Sequence, residues 1–145
     1  MGRRFAEQGH IDRIFNSGGS GYTMNKRAMK MLATNLYERE DRKCGPHAHT
    51  FAEDVMTAAC FRANNVLPYD TRDEFGSERY MPFKPGHHLT YQAPKDVTKD
   101  WYAEYMQFFD MKYGLDHCSK YSIAFHYVEP KEMKRFYSIM HGLCK

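Results

Sequence analysis

The sequence lacks the patterns that most directly assign a chain to a membrane or to a secretory route. No apolar run approaches the roughly 18 residues that a membrane-spanning helix requires. The opening stretch, MGRRFAEQGHIDRIF, has no apolar segment of the kind found in signal peptides. The four cysteines include no C-x-x-C pair, which argues against a structural zinc site. Read alone, the chain is expected to be soluble and to carry no targeting signal.

A concentrated charge of one sign is also missing. The 21 basic residues only slightly outnumber the 18 acidic ones, and the net charge of +3 is spread along the chain. Because nucleic-acid binding needs a concentrated basic stripe, no nucleic-acid partner is expected. The 145 residues are 42% hydrophobic and 15% aromatic, which is enough for one packed core and predicts a single globular unit.

A glycine-rich segment, FNSGGSGY at residues 15–22, lacks the spacing of a known phosphate-binding loop. It matches neither the P-loop pattern nor the G-x-G-x-x-G pattern of dinucleotide-binding folds. Gly18, Gly19 and Gly21 would let a ligand approach the backbone closely, or they would simply permit a tight turn. In isolation the segment favours the turn.

Three stretches have helical patterns. Asn25 is a suitable N-cap for a helix over residues 26–40. Thr50, followed three residues later by Glu53, forms a capping-box pattern before a second helix and places an acidic pair in its first turn. Pro130 suits the first turn of a final helix.

The other segments are less regular. SIAFHYV at residues 122–128 predicts a strand with Tyr127 on one face and His126 on the other. Residues 100–109 are rich in aromatic side chains and fit either a strand or a helix, whereas glycines and prolines in residues 70–94 predict a loop. The order is mixed α and β, with too few strands for a complete doubly wound sheet.

Several side chains could carry chemistry, and each also has a plainer explanation. The Glu53–Asp54 pair could supply a general base, but acidic residues in a first turn also stabilise the helix dipole. His126 could ligate a metal ion or be a hydrogen-bonded core histidine. Trp101 and Tyr102 could stack on a base or a sugar ring, or fill the core.

The cysteines leave the redox state open. Cys44, Cys60, Cys118 and Cys144 are widely separated in the sequence. They could form two disulfides in an oxidising compartment, or they could be free buried thiols. The sequence does not choose between these states.

The order of the motifs is more informative than any one of them. FNSGGSGY opening a helix, a KC loop, EDV at a helix start, DTRDEFG, PFKPGHHL, WY, CS and FHYV follow one another along the chain. This series resembles the C-terminal half of the core 1 β1,3-galactosyltransferases, which are relatives of the fringe glycosyltransferases. The resemblance runs from about Phe15 to about His141. It implies a division into an N-terminal segment, 1–14, and the C-terminal half of a catalytic domain, 15–145.

The resemblance implies a type II Golgi membrane enzyme with its catalytic domain in the lumen. The implied fold is α/β, the C-terminal portion of a nucleotide-diphospho-sugar transferase (GT-A-like) fold with a mixed sheet and flanking helices. Such enzymes transfer galactose from UDP-galactose to O3 of GalNAc on Ser or Thr of a glycoprotein acceptor, with inversion and with Mn²⁺ as cofactor. A homodimer is a further expectation.

The same resemblance implies roles for individual residues. The acidic pair of the family falls on Glu53 and Asp54, and Asp54 is the better candidate for the catalytic base. His126 would ligate Mn²⁺, since a hard divalent cation accepts imidazole beside oxygen ligands. Tyr127 would lie beside the nucleotide.

Trp101 matches a tryptophan of the WYW stretch near the donor and acceptor sites, although Ala103 replaces the second tryptophan. The glycine loop, with Gly18 and Gly19, would border the sugar pocket.

The chain also departs from the family pattern. No D-x-D metal motif occurs in it, and His117–Cys118 stands where the family has two adjacent cysteines. Cys44, Cys60 and Cys118 match family positions that form disulfides, so at least one bridge is expected. The alternatives are a fringe-like β1,3-transferase with other sugars, or an inactive fragment that acts as a binding module.

Overall fold

A computed structural model describes residues 1–38, 44–45 and 51–141. Within those ranges the chain forms five helices and four short strands. In chain order they are β1 Arg4–Ala6, β2 Ile14–Asn16, α1 Lys26–Glu38, α2 Glu53–Arg62, β3 Tyr80–Met81, α3 Pro85–Thr90, α4 Trp101–Met106, β4 Ala124–Phe125 and α5 Pro130–Met140. Short 3₁₀ turns at Glu7–Gly9, Val97–Lys99 and Gly114–Asp116 connect them. The fold class is mixed α/β, as predicted.

The strands form two small sheets. β1 and β2 pair antiparallel, with Phe5 opposite Phe15. β3 and β4 pair parallel, with Met81 opposite Phe125. Since parallel strands need a long crossover between them, the chain from β3 to β4 carries α3 and α4 across this sheet.

Aromatic rings dominate the core. Phe5 packs edge to face against Phe15 at 5.7 Å between ring centroids and against Tyr102 at 5.9 Å. Ala58 from α2 and Met106 from α4 complete the buried cluster. β1 therefore packs in the same core as the two helices that flank it.

A buried ion pair joins the amino-terminal segment to the rest of the fold. Arg3 is fully buried, and its Nη1 lies 2.6 Å from Oε1 of Glu78. Its Nη2 donates a 2.7 Å hydrogen bond to the hydroxyl of Tyr102. Removing one partner of such a pair typically costs about 3–5 kcal/mol, because it leaves an uncompensated buried charge.

Two buried histidines stack beside this ion pair. The rings of His88 and His117 lie 4.4 Å apart and are nearly parallel. His88 Nε2 accepts a hydrogen bond from the amide of Phe83. Burial, together with nearby cationic Arg3, lowers the pKa of His88 to about 3 and that of His117 to about 4. Both rings are therefore neutral at pH 7.

Three local predictions are resolved by the structure. The Asn25 cap is confirmed, since its Oδ1 accepts from the amide of Ala28. Residues 100–109 contain a helix, α4, capped by the Asp100 carboxylate. The loop predicted for residues 70–94 is wrong at two places, where β3 and α3 form. α3 begins at Pro85 because a proline in a first turn loses no intrahelical hydrogen bond.

The capping-box prediction at α2 rests on Thr50, which lies outside the described residues. Ala52 occupies the N-cap position and makes no side-chain cap hydrogen bond. Glu53 and Asp54 lie in the first turn of the helix, as predicted. A capping box does form at α5, between Glu129 and Glu132.

One disulfide lies within the part of the chain that the structure describes. Cys44 bonds to Cys60, which is fully buried in α2, while Cys118 is a free, half-buried thiol. This confirms the expectation of at least one bridge. Cys144 lies outside the described residues.

Among the described helices, none combines the length and the apolar character needed to cross a membrane.

Candidate active site

The glycine segment forms a tight turn directly after β2. The amide of Gly21 donates to the carbonyl of Gly18 at 2.9 Å, and Gly21 adopts a φ of 72°. The amide of Ser17 donates to the carbonyl of Arg3 at 2.8 Å, which fixes the start of the turn against β1. The turn interpretation is correct, and the same turn also brings Gly18 and Gly19 against other elements.

Gly18 contacts the acidic pair at the start of α2. Its amide donates a 2.8 Å hydrogen bond to Oδ2 of Asp54. A Cβ at this position would lie only 2.6 Å from Oε1 of Glu53. The lack of a side chain at residue 18 therefore allows the two carboxylates to lie against the turn.

Tyr22, which follows the turn, holds the second carboxylate. Its hydroxyl donates a 2.7 Å hydrogen bond to Oε2 of Glu53. Burial and then this hydrogen bond raise the pKa of Tyr22 to about 12, so the hydroxyl stays protonated and remains a donor. The sequence shows an aromatic residue at the end of the glycine-rich segment, but it does not indicate that Tyr22 would bind Glu53.

Gly19, the next residue of the turn, contacts His126. A Cβ at residue 19 would overlap the imidazole ring at Nδ1 and Cε1. The amide of His126 donates to the carbonyl of Met81 at 3.0 Å, which anchors the residue at the end of the β3–β4 sheet. His126 is half-buried at a sheet end, so its interpretation as a core histidine is wrong.

The strand predicted over residues 122–128 is much shorter than expected. Only Ala124 and Phe125 pair with β3, because Tyr127 adopts a φ of 55°, which ends the extended backbone. The rings of His126 and Tyr127 consequently stack at 3.8 Å between centroids instead of pointing to opposite faces. Tyr127 remains 63% exposed, so this stacked pair faces solvent beside the turn.

A row of aromatic side chains continues from Tyr127 to Trp101. Phe83 stacks on Tyr127 at 6.1 Å between centroids and lies 5.7 Å from Trp101. Trp101 is 51% exposed, whereas Tyr102 is buried in the core. Sequence reasoning missed Phe83, although it stands in the PFKPGHHL motif.

The seven residues predicted for the site thus form one connected set of contacts. Carboxylates contact the first glycine of the pair, and an imidazole followed by an aromatic row contacts the second. The set comprises Gly18, Gly19, Glu53, Asp54, Trp101, His126 and Tyr127, with Phe83 linking the last two to Trp101. Such an arrangement offers a proton acceptor, a metal-ligating nitrogen and ring faces within one region.

The donor set for a metal ion is incomplete in this region. Among the described residues, no group of three His, Cys, Asp or Glu side chains lies close enough to hold an ion. The carboxylates of Glu53 and Asp54 lie against Gly18, whereas the imidazole of His126 lies against Gly19. These three side chains do not by themselves complete a site for Mn²⁺.

A cavity of about 220 Å³ lies next to Asp54. Residues of α1, α2 and the segment 66–69 line it, and Tyr22 forms part of its wall. The Asp54 carboxylate therefore lies next to both the glycine turn and this cavity.

The chain is similar to a galactosyltransferase. It is 32% identical over 134 residues to glycoprotein-N-acetylgalactosamine 3-beta-galactosyltransferase 1 of Xenopus laevis. The match covers 92% of this chain but 34% of that relative, so the chain spans about one third of the relative's length. No protein-family model matches the chain. The similarity agrees with the resemblance in motif order and extends over most of the site region.

Proposed function

We propose that this chain forms the acceptor-activating part of an inverting galactosyltransferase. The reaction would move galactose from UDP-galactose to O3 of GalNAc linked to Ser or Thr in a glycoprotein. The similarity to a galactosyltransferase supports the reaction class. The observation that carries the proposal is the hydrogen bond from the Gly18 amide to Oδ2 of Asp54, which holds a carboxylate at the edge of a solvent-facing turn.

In the proposed reaction Asp54 is the general base. An inverting transfer needs one base to take the proton from the acceptor hydroxyl as that oxygen attacks the anomeric carbon, and it needs no covalent intermediate. Oδ2 of Asp54 receives one donor from the glycine turn and retains lone pairs for the sugar hydroxyl. Glu53, held by Tyr22, would orient the acceptor sugar.

We assign the binding of the donor nucleotide sugar to His126 and the aromatic row. Tyr127, Phe83 and Trp101 present ring faces that suit stacking against a sugar or a base. His126 would supply one ligand to Mn²⁺, the cofactor that the resemblance in motif order implies. A GT-A-like fold, a Golgi lumenal location and a homodimer belong to the same proposal.

The test is transfer of galactose to a GalNAc-peptide, followed by mass spectrometry. It is run on this chain and on any longer product of the same gene that contains it. Product with UDP-galactose but not with other UDP-sugars supports the proposal, whereas product with another donor only would favour a fringe-like transferase. Binding of UDP or of acceptor without any transfer would favour a binding module, which the one-third coverage of the relative makes the second candidate.

A further inference from the structure

The cavity beside Asp54 is lined mainly by apolar side chains. Ala28 of α1 and Phe61 of α2 face it, and Val66, Leu67 and Tyr69 close it from a third side. Its volume of about 220 Å³ exceeds that of a cavity of about 150 Å³ which is known to take benzene in another protein. An aromatic or branched aliphatic group therefore fits it.

Most polar side chains around the cavity already have partners. Asn25 Oδ1 caps α1, and Asn16 Nδ2 donates to the carbonyl of Gly2 at 2.9 Å. The hydroxyl of Thr23 shares a 2.7 Å hydrogen bond with Tyr80, and that of Tyr22 is bound to Glu53. These bonds engage four of the polar side chains, and Asp54, Thr57 and Tyr69 are the other polar side chains that line the cavity. Because the rest of the lining is apolar, the cavity suits an apolar group better than a hexose, which carries several hydroxyls.

Because Asp54 lines the cavity, an apolar group bound there lies next to the proposed catalytic base. It lines the cavity and at the same time accepts the hydrogen bond from the glycine turn. A ligand in the cavity is therefore adjacent to the proposed base. Under the proposed function Asp54 takes the proton from the acceptor hydroxyl, so the molecule next to Asp54 is the acceptor and not the nucleotide.

We infer that the cavity is a specificity subsite for an apolar side chain of the acceptor polypeptide, next to the glycosylated Ser or Thr. The inference rests on the proposed function, because that function identifies the acceptor as a glycoprotein. The inference adds a sequence preference to that function. The protein should bind acceptor peptides with Leu or Phe beside the glycosylated residue more tightly than otherwise identical peptides with Ser.

Two labelled GalNAc-peptides, identical except for Leu or Ser beside the glycosylated Thr, are titrated with the protein by fluorescence polarisation. We expect about tenfold tighter binding of the Leu peptide, which corresponds to about 1.4 kcal/mol. Ala28→Leu fills the cavity and should reduce the preference to about twofold or less, without weakening the Ser peptide. Leu67→Ser should also reduce the preference, whereas Leu115→Ser, at an exposed residue that does not line the cavity, should leave it unchanged.

Equal affinity for the two peptides, or no measurable binding of either, would overturn the inference. An unchanged preference in both Ala28→Leu and Leu67→Ser would also overturn it, provided that circular dichroism shows that both variants are folded. The binding measurement does not require catalysis. A Leu preference that depends on the cavity, without galactose transfer, would therefore support the subsite and contradict the proposed reaction.

Discussion

Gly18 and Asp54 are 36 positions apart in the sequence and are joined by a 2.8 Å hydrogen bond from the glycine amide to Oδ2 of the carboxylate. The bond connects the turn after β2 to the first turn of α2. It requires a residue without a side chain, because a Cβ at position 18 would contact Glu53. The glycine-rich motif and the acidic motif therefore depend on each other.

The first prediction concerns the proposed base. Asp54→Asn preserves shape but removes the basic carboxylate, so turnover should fall by about 10²-fold or more while UDP binding changes little. Glu53→Gln should weaken acceptor affinity more than it slows the chemical step. Steady-state kinetics with UDP-galactose and a GalNAc-peptide measure both effects, with Asp12→Asn as a control. Near-normal turnover of Asp54→Asn would remove this residue from the mechanism.

A second prediction concerns the glycine that contacts the histidine. Gly19→Ala should displace the ring of His126 and destabilise the fold by about 1–3 kcal/mol, because the added methyl group overlaps the imidazole. Gly86→Ala is the matched control, since nothing lies within 4 Å of a Cβ there. Urea unfolding compares the two variants, and NMR signals of Tyr127 report on the displaced ring. Equal stability of both variants would contradict the contact.

Metal binding gives a third prediction. If His126 is a ligand, Mn²⁺ added with UDP should broaden the NMR signals of the imidazole of His126 and of the stacked Tyr127 ring. His126→Ala should weaken the binding of Mn²⁺ and UDP together, so that more Mn²⁺ is needed for the same broadening at Tyr127, whereas His10→Ala should not change it. An unchanged Mn²⁺ concentration dependence in His126→Ala would exclude His126 as a ligand.

The fourth prediction concerns pH. His88 and His117 have lowered pKa values in the folded state, about 3 and about 4, against an ordinary value of 6.5. The unfolded chain therefore binds more protons below about pH 6.5, and the free energy of unfolding falls as the pH is lowered from there. The loss between about pH 8 and pH 5 should be about 2 kcal/mol for each histidine.

Urea unfolding at several pH values measures this slope. His88→Gln should retain a polar ring-sized side chain while removing about half of the pH dependence between pH 6.5 and pH 5. The carboxyl groups whose pKa values are lowered, such as Asp70, act mainly at more acidic pH. A stability that is flat across this range would show that the two rings are not buried as neutral groups.

The disulfide gives the fifth prediction. The Cys44–Cys60 bridge closes a loop of sequence separation 16, for which chain entropy predicts a stabilisation of about 3 kcal/mol. Cys60→Ser should lower the free energy of unfolding by about that amount, and Cys118→Ser should have a smaller effect. Alkylation without reductant, followed by mass spectrometry of material from secretory expression, should leave Cys44 and Cys60 unmodified. Four alkylated thiols would contradict the bridge.

Local sequence signals predicted the elements that depend on local chemistry. The Asn25 cap, the proline start of α5 and the glycine turn each follow from side-chain and backbone preferences within a few residues. The helix in residues 100–109 was left open, because its aromatic residues suit either structure. The side chain of Asp100 caps α4 and so favours the helix, and an aspartate in that position is visible in the sequence. Motif order predicted a set of site residues, and the structure places these residues in contact with one another.

Contacts between distant segments settled the rest. No local pattern specifies that His126 lies against Gly19, or that Tyr22 binds Glu53, since each pair is brought together by packing of separate elements. The predicted strand over residues 122–128 is short because Tyr127 takes a left-handed backbone conformation in its tertiary context. Propensity and periodicity act over neighbouring residues and so determined α1, α5 and the glycine turn, whereas the approach of carboxylates and imidazole to that turn depends on how the core packs.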